Sequence, residues 1–195
     1  YASLDLDPIS YRSRRRAEHV ELALFTCQDC GTIGRMRSRG NRLHCHACGS
    51  TWTLDRRGRF HALGKAGLRF DTIRDWDAWQ GPVFADALEA GRRASFEGGA
   101  PRPFFSDEGA VILKGRKMNP LRRLRAGTLI LYPDRLELAT ILGEVLVFPL
   151  AELEAITVMK RSQLEFYRNR DLYQVNFALR SVSARKWAVA MEYFK

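Results

Sequence analysis

No apolar run in this sequence approaches the roughly 20 residues that a helix needs to cross a bilayer, so a membrane-spanning helix is not expected. Histidine is scarce, and none of His19, His44, His46 or His61 is followed five residues later by an aspartate. No Gly-rich phosphate loop precedes a helix and no G-x-S-x-G elbow occurs, so no catalytic constellation is expected within the chain. Acidic residues are outnumbered, 22 Asp and Glu against 32 Lys and Arg, a formal charge of +10. Such a surplus favours polyanions, either nucleic-acid phosphates or acidic lipid headgroups, and charge alone does not choose between them. The opening segment lacks the apolar core of a secretory signal and starts at Tyr1 rather than Met, which reads as a piece of a longer polypeptide. With 46% hydrophobic and 28% charged residues the composition is that of a globular chain.

The few cysteines are concentrated. All four lie between positions 27 and 48, spaced C-x2-C-x14-C-x2-C. Two residues between cysteines let a tight turn aim both sulfurs at one ion, and thiolates suit zinc, which takes tetrahedral soft donors without redox chemistry. Gly31 and Gly49 each follow the second cysteine of a pair, where a residue free to adopt positive φ helps the backbone turn. Cys27, Cys30, Cys45 and Cys48 are therefore the expected ligands of one structural zinc. The alternatives are two disulfides or four free thiols, and neither accounts for a duplicated C-x-x-C-G knuckle. Four thiolates close the coordination shell, which leaves His44 and His46 outside it and no open position for catalysis. Paired cysteines of this kind point to a reducing, cytoplasmic compartment, at the inner membrane face or away from it.

Four segments are expected: an extended basic connector over 1–24, the zinc ribbon over 25–63, a helical linker over 64–102 and a β-domain over 103–195. The linker is predicted to hold two short helices, one carrying Ile73, Trp76 and Trp79 and a second beginning near Pro82, with the domain boundary at Gly98, Gly99, Pro101 and Pro103. Seven short runs with strand character follow: 110–114, 127–132, 135–139, 144–148, 155–160, 163–167 and 172–179. Trp187, Ala190, Met191 and Phe194 then share one helical face behind a capping Ser183. The predicted class is α+β, mainly β, with a terminal helix covering an antiparallel sheet that cannot bury both faces by itself.

Two basic stretches lack acids of their own. Arg35, Arg37, Arg39 and Arg42 lie between the knuckles and are placed either to grip phosphates or to form a solvated hairpin tip. Lys114, Arg116, Lys117, Arg122, Arg123 and Arg125 crowd the connection between the first two predicted strands.

Seven strands and a closing helix resemble the pleckstrin-homology superfold, which includes the GRAM-type domains. In that resemblance the stretch from Lys114 to Leu131 looks like the basic first hairpin that meets anionic headgroups in many members. A longer resemblance rests on Tyr11 to Phe25 leading into CQDCG and CHACG, on DWDAWQ at 75–80, and on LEFYRNRDLYQVNF with ARKWAVAMEYF. These look like the region that follows the catalytic domain in some bacterial 1-acylglycerol-3-phosphate acyltransferases. The resemblance implies that catalysis lies upstream of Tyr1 and that the chain's partners are anionic lipid headgroups or that upstream domain. Nucleic acid bound by the ribbon is one alternative, and a protein-interaction scaffold presenting Trp76, Trp79 and Trp187 is another.

Overall fold

Alternating apolar positions build two separate antiparallel sheets, and the computed structural model describes them over residues 10–96, 102–116, 119–179 and 181–195. The chain divides into two units, Tyr1–Pro82 and Val83–Lys195.

In the first unit β1 (Met36–Arg39), β2 (Arg42–Cys45), β3 (Thr51–Leu54) and β4 (Phe60–Leu63) pair in chain order. The pleat sends Met36, Leu43, Cys45, Trp52, Leu54 and Phe60 to one face, where all are buried. Across that face lies the start of helix α1 (Ile73–Phe96). Its Trp76 meets Trp52 and Phe60 edge-on, with ring centroids 5.1 and 5.2 Å apart. The indole N–H of Trp76 donates to the Thr26 carbonyl at 2.8 Å, so a buried polar handle is satisfied by the chain entering the first knuckle.

Two expectations for this part of the chain are corrected. Residues 10–24 are not an extended connector: Ala17, Val20 and Leu24 are buried, and the Ala17 N–H donates to the Gly40 carbonyl at 2.9 Å. Their spacing of three and four residues puts these apolar side chains on one side of a short turn, which the ribbon then covers. Nor are there two short helices, because α1 runs unbroken from Ile73 through Pro82 to Phe96. Pro82 cannot donate to the carbonyl of Ala78, yet both residues are exposed and water can take that acceptor instead. The unit boundary accordingly falls within α1 and not at the Gly-Pro cluster, of which Gly98, Gly99 and Pro101 lie outside the described residues.

The second unit holds β5 (Phe105–Arg116), β6 (Arg122–Leu131), β7 (Arg135–Thr140), β8 (Val145–Pro149), β9 (Glu154–Met159), β10 (Gln163–Arg168) and β11 (Asp171–Phe177). They form one antiparallel sheet in the order β8-β7-β6-β5-β11-β10-β9, so the first strand in sequence lies in the middle and pairs with the last. The sheet curls until Phe148 of β8 meets Phe166 of β10 and Tyr173 of β11, at centroid distances of 5.5 and 5.2 Å. Arg168 of β10 reaches the same edge, where its guanidinium donates to the Val147 carbonyl at 3.0 Å and pairs with Glu152. Helix α2 (Ala184–Phe194) starts where Ser183 Oγ accepts the Lys186 N–H at 3.1 Å and packs over β9 and β10. Trp187 meets Phe105 edge-on and stacks on Phe177, while its indole N–H and the Lys186 ammonium both donate to Asp107 Oδ2 at 2.9 Å. The seven-stranded antiparallel sheet closed by a C-terminal helix is thus present. Trp76 and Trp187 are buried in their units and offer no partner surface. Among the described residues, no helix is long and apolar enough to cross a membrane.

Candidate metal centre

Each cysteine pair sits on a turn of the same construction. The Cys27 N–H donates to the Thr32 carbonyl at 3.0 Å and the Gly31 N–H to the Cys27 carbonyl at 2.9 Å. In the second turn the Cys45 N–H donates to the Ser50 carbonyl and the Gly49 N–H to the Cys45 carbonyl, both at 2.9 Å. Gly31 and Gly49 adopt φ of 69° and 80°, the left-handed region that a Cβ would penalise. Two copies of one turn face each other, and all four sulfurs lie within 4.8 Å of one another.

The distances exclude disulfides among the cysteines. Cys27 to Cys48 and Cys30 to Cys45 are both 3.8 Å between sulfurs, and all four cysteines are free. A disulfide needs about 2.05 Å. Four sulfurs about 2.3 Å from a common tetrahedral centre stand about 3.8 Å apart along each edge, so the cluster is compatible with a metal ion at its centre. Burial pushes the Cys27 and Cys45 thiols up, which disfavours bare thiolates at these two positions. Burial also opposes ionisation of Cys48, but hydrogen bonds from the Ser50 hydroxyl and N–H outweigh it and bring that thiol down to about 6. A cation at the centre would favour the ionised form of all four.

One part of the site was not anticipated from the sequence. Thr32 Oγ1 lies 3.2 Å from Cys30 Sγ, and Ser50 Oγ lies 3.3 Å from Cys48 Sγ. Each hydroxyl sits two residues after the second cysteine of its pair, so the repeated unit is C-x-x-C-G followed by Thr or Ser, and that repeat was the available signal. Two buried amides brace the first knuckle: Gln28 Oε1 accepts from the Arg69 and Phe70 N–H groups, and Gln80 Oε1 accepts from those of Phe25 and Thr26. His44 and His46 stand outside the sulfur cluster. His44 Nδ1 contacts Thr51 Oγ1 at 2.7 Å, and His46 is exposed.

The ribbon arginines gather on the sheet face opposite the core. Strand register sets Arg37 against His44 and Arg39 against Arg42, and His44 in turn against Thr51. Arg37, Arg39, Arg42, His44, His46 and Thr51 line a shallow depression of about 550 Å³ that contains no carboxylate. Arg35 is exposed beside it. Desolvation by neighbouring residues, and then the charges of His44, Arg37 and Arg35, hold the His46 pKa below its usual value.

The second basic group is arranged differently from the expectation. Lys114 and Arg116 end β5, while Arg122, Arg123 and Arg125 begin β6, so these residues stand on paired strands and not in a loop. Lys117 lies outside the described residues. Folding also supplies the acids missing from the local sequence. Asp171, at the start of β11, pairs with Lys114 at 2.7 Å and Arg116 at 3.7 Å, and Glu144 pairs with Arg125 at 2.7 Å. Arg122 and Arg123 are exposed and make no ion pair among the described residues. Lys114, Arg116, Asn119, Arg122 and Asp171 line a second depression of about 470 Å³. No family model matches this chain, and no curated protein matches it either.

Proposed function

We propose that the chain is a non-catalytic accessory region that tethers or orients a phospholipid-synthesis acyltransferase, of the 1-acylglycerol-3-phosphate type, at an anionic membrane surface. On this reading the first unit is a zinc ribbon in which Cys27, Cys30, Cys45 and Cys48 hold the ion, and the second is a pleckstrin-homology or GRAM-like domain that meets the lipid. Support for the ribbon comes from four sulfurs at tetrahedral spacing on duplicated turns. Support for the second unit comes from its strand order, in which a long first strand pairs with the last and a C-terminal helix covers the sheet.

The observation that carries the lipid assignment is the group Lys114, Arg116, Arg122, Arg123 and Arg125 at one end of the β5–β6 hairpin, with Arg122 and Arg123 exposed. A basic residue close to an anionic leaflet contributes about 1 kcal/mol. The ion pairs to Asp171 and Glu144 offset part of this for the other three, so Arg122 and Arg123 carry the larger share. Sedimentation with vesicles at low salt tests it: wild type should favour phosphatidylglycerol-containing over neutral vesicles, and R122E/R123E should lose that preference. Equal binding of the wild type to both vesicle types counts decisively against the proposal.

One observation favours a second reading. The carboxylate-free face of the ribbon, with Arg35, Arg37, Arg39 and Arg42, suits the phosphates of a nucleic acid. Steeply salt-dependent binding of mixed-sequence oligonucleotides, lost in R37A/R39A/R42A, would select it over the first.

A further inference from the structure

The turn between β7 and β8 carries a feature that a solvated reversal does not need. Thr140, Ile141, Leu142, Gly143 and Glu144 form a tight hairpin end in which the Gly143 N–H donates to the Thr140 carbonyl at 3.1 Å and Thr140 and Glu144 close the ladder at 2.8 Å. The Thr140 hydroxyl accepts the Glu144 N–H at 3.1 Å, and Gly143 takes the left-handed conformation at φ 82°. The backbone of this tip is therefore pinned by its own hydrogen bonds. Its two central positions are ordinarily given to Asn, Asp, Ser, Pro or Gly. Here they hold aliphatic residues, Ile141 at 97% and Leu142 at 94% exposure, the most exposed large hydrophobic side chains among the described residues.

The surroundings indicate what would cover them. Thr140 is the last β7 residue paired with β6, opposite Gly127, and β6 extends past the tip toward Arg125, Arg123 and Arg122. Arg125 is tied to Glu144 of the same turn, whereas Arg122 and Arg123 make no ion pair among the described residues. Two adjacent aliphatic side chains on a narrow, rigid tip, with Arg125 held beside them and Arg123 and Arg122 farther along β6, match the layered chemistry of an anionic bilayer. The arginines meet headgroup phosphates and the aliphatic pair enters the acyl boundary. A pair this small offers little area to a folded protein partner, whose contact would bury a broad patch.

We propose that Ile141 and Leu142 form a membrane-inserting wedge that anchors the second unit in anionic bilayers, with Arg122 and Arg123 supplying the charge that brings it there. The inference rests on the membrane reading given above, and it assigns to the wedge the part of the binding that salt does not remove. Electrostatic attraction between exposed groups is screened within about 3 Å at 1 M salt, whereas insertion of apolar side chains is not.

The test uses the full chain and vesicles of phosphatidylcholine with phosphatidylglycerol, at low salt and at 1 M salt. The wild type should retain measurable binding at high salt. I141S/L142S should bind at least about tenfold more weakly at both salt concentrations, while R122A/R123A should weaken binding chiefly at low salt. Because both tip residues are exposed, the double serine variant should keep the thermal midpoint of the wild type. A gain-of-signal variant, L142W, should shift its added emission to the blue when vesicles are supplied. If the wild type sediments with vesicles but I141S/L142S binds equally well, or the L142W emission does not move, the wedge is refuted and the charge-based reading stands. If the wild type binds no vesicles at all, the membrane reading itself falls. A wild-type dimer in solution that dissociates in I141S/L142S would instead assign the tip to a second copy of the chain and overturn the wedge.

Discussion

At the scale of single residues, the cysteines and histidines of the ribbon make separable demands. C45S removes one of four donors at a site whose coordination has no spare ligand, so purified C45S should contain well under one equivalent of metal by elemental analysis. H44A and H46A should each retain one full equivalent, because neither ring reaches the sulfur cluster. A wild type without bound metal would remove the ribbon assignment altogether. The gathering of the four cysteines is legible because C-x-x-C-G occurs twice, and a tight turn is encoded within five residues. Thr32 and Ser50 repeat at the same offset, but a hydroxyl near a sulfur announces itself only once the turn is folded. The partners of Lys114 and Arg125 were illegible for a different reason. Asp171 and Glu144 lie far away in sequence, and strand pairing brings them alongside.

At the scale of elements, Gly127 shows how closely β6 and β7 approach. A Cβ added there would stand 2.0 Å from the Ala139 carbonyl oxygen, a backbone atom that cannot turn aside. G127A should destabilise the second unit by about 1 to 3 kcal/mol, seen as a lower denaturant midpoint. A midpoint equal to the wild type would mean that the two strands can separate without cost. Seven strands are legible from alternation and turn residues, but alternation marks only part of the first two. The segments 105–109 and 122–126 carry charges and small residues in place of alternating apolar ones, and they join strands because 105–107 pair with β6 and 122–126 pair with β5. Gly109, at φ 71°, accompanies a shift of register between Asp107 and Ala110, which breaks the alternation that a periodicity reading depends on. In α1 the misleading residue was Pro82, whose missing hydrogen bond matters little where the turn faces water.

At the scale of the whole molecule, the two units differ in what holds them. The first unit has short strands of four residues and, on the metal-site proposal, draws on the ion, so a strong chelator should raise amide exchange throughout residues 25–63. The sheet of the second unit is closed by aromatic packing around Phe148, Phe166 and Tyr173 and by Trp187 of α2, and its exchange should stay slow under the same treatment. Mass-spectrometric exchange resolved along the sequence checks both at once, and uniform protection of 25–63 after metal removal would show that the ribbon folds unaided. The sequence separated a cysteine-bearing part from a β-rich part but misplaced the junction, because Trp76 and Gln80 look like linker residues until the ribbon packs on them. The Arg168 contact with Val147 bears on how the second unit behaves when crowded. Strand β8 ends the sheet and would otherwise offer an outward carbonyl as a template for the strand of another molecule. With the chain's own guanidinium occupying that acceptor and Glu152 holding the guanidinium in place, one outward acceptor of the border is closed from within, and edge-to-edge pairing of copies loses one foothold.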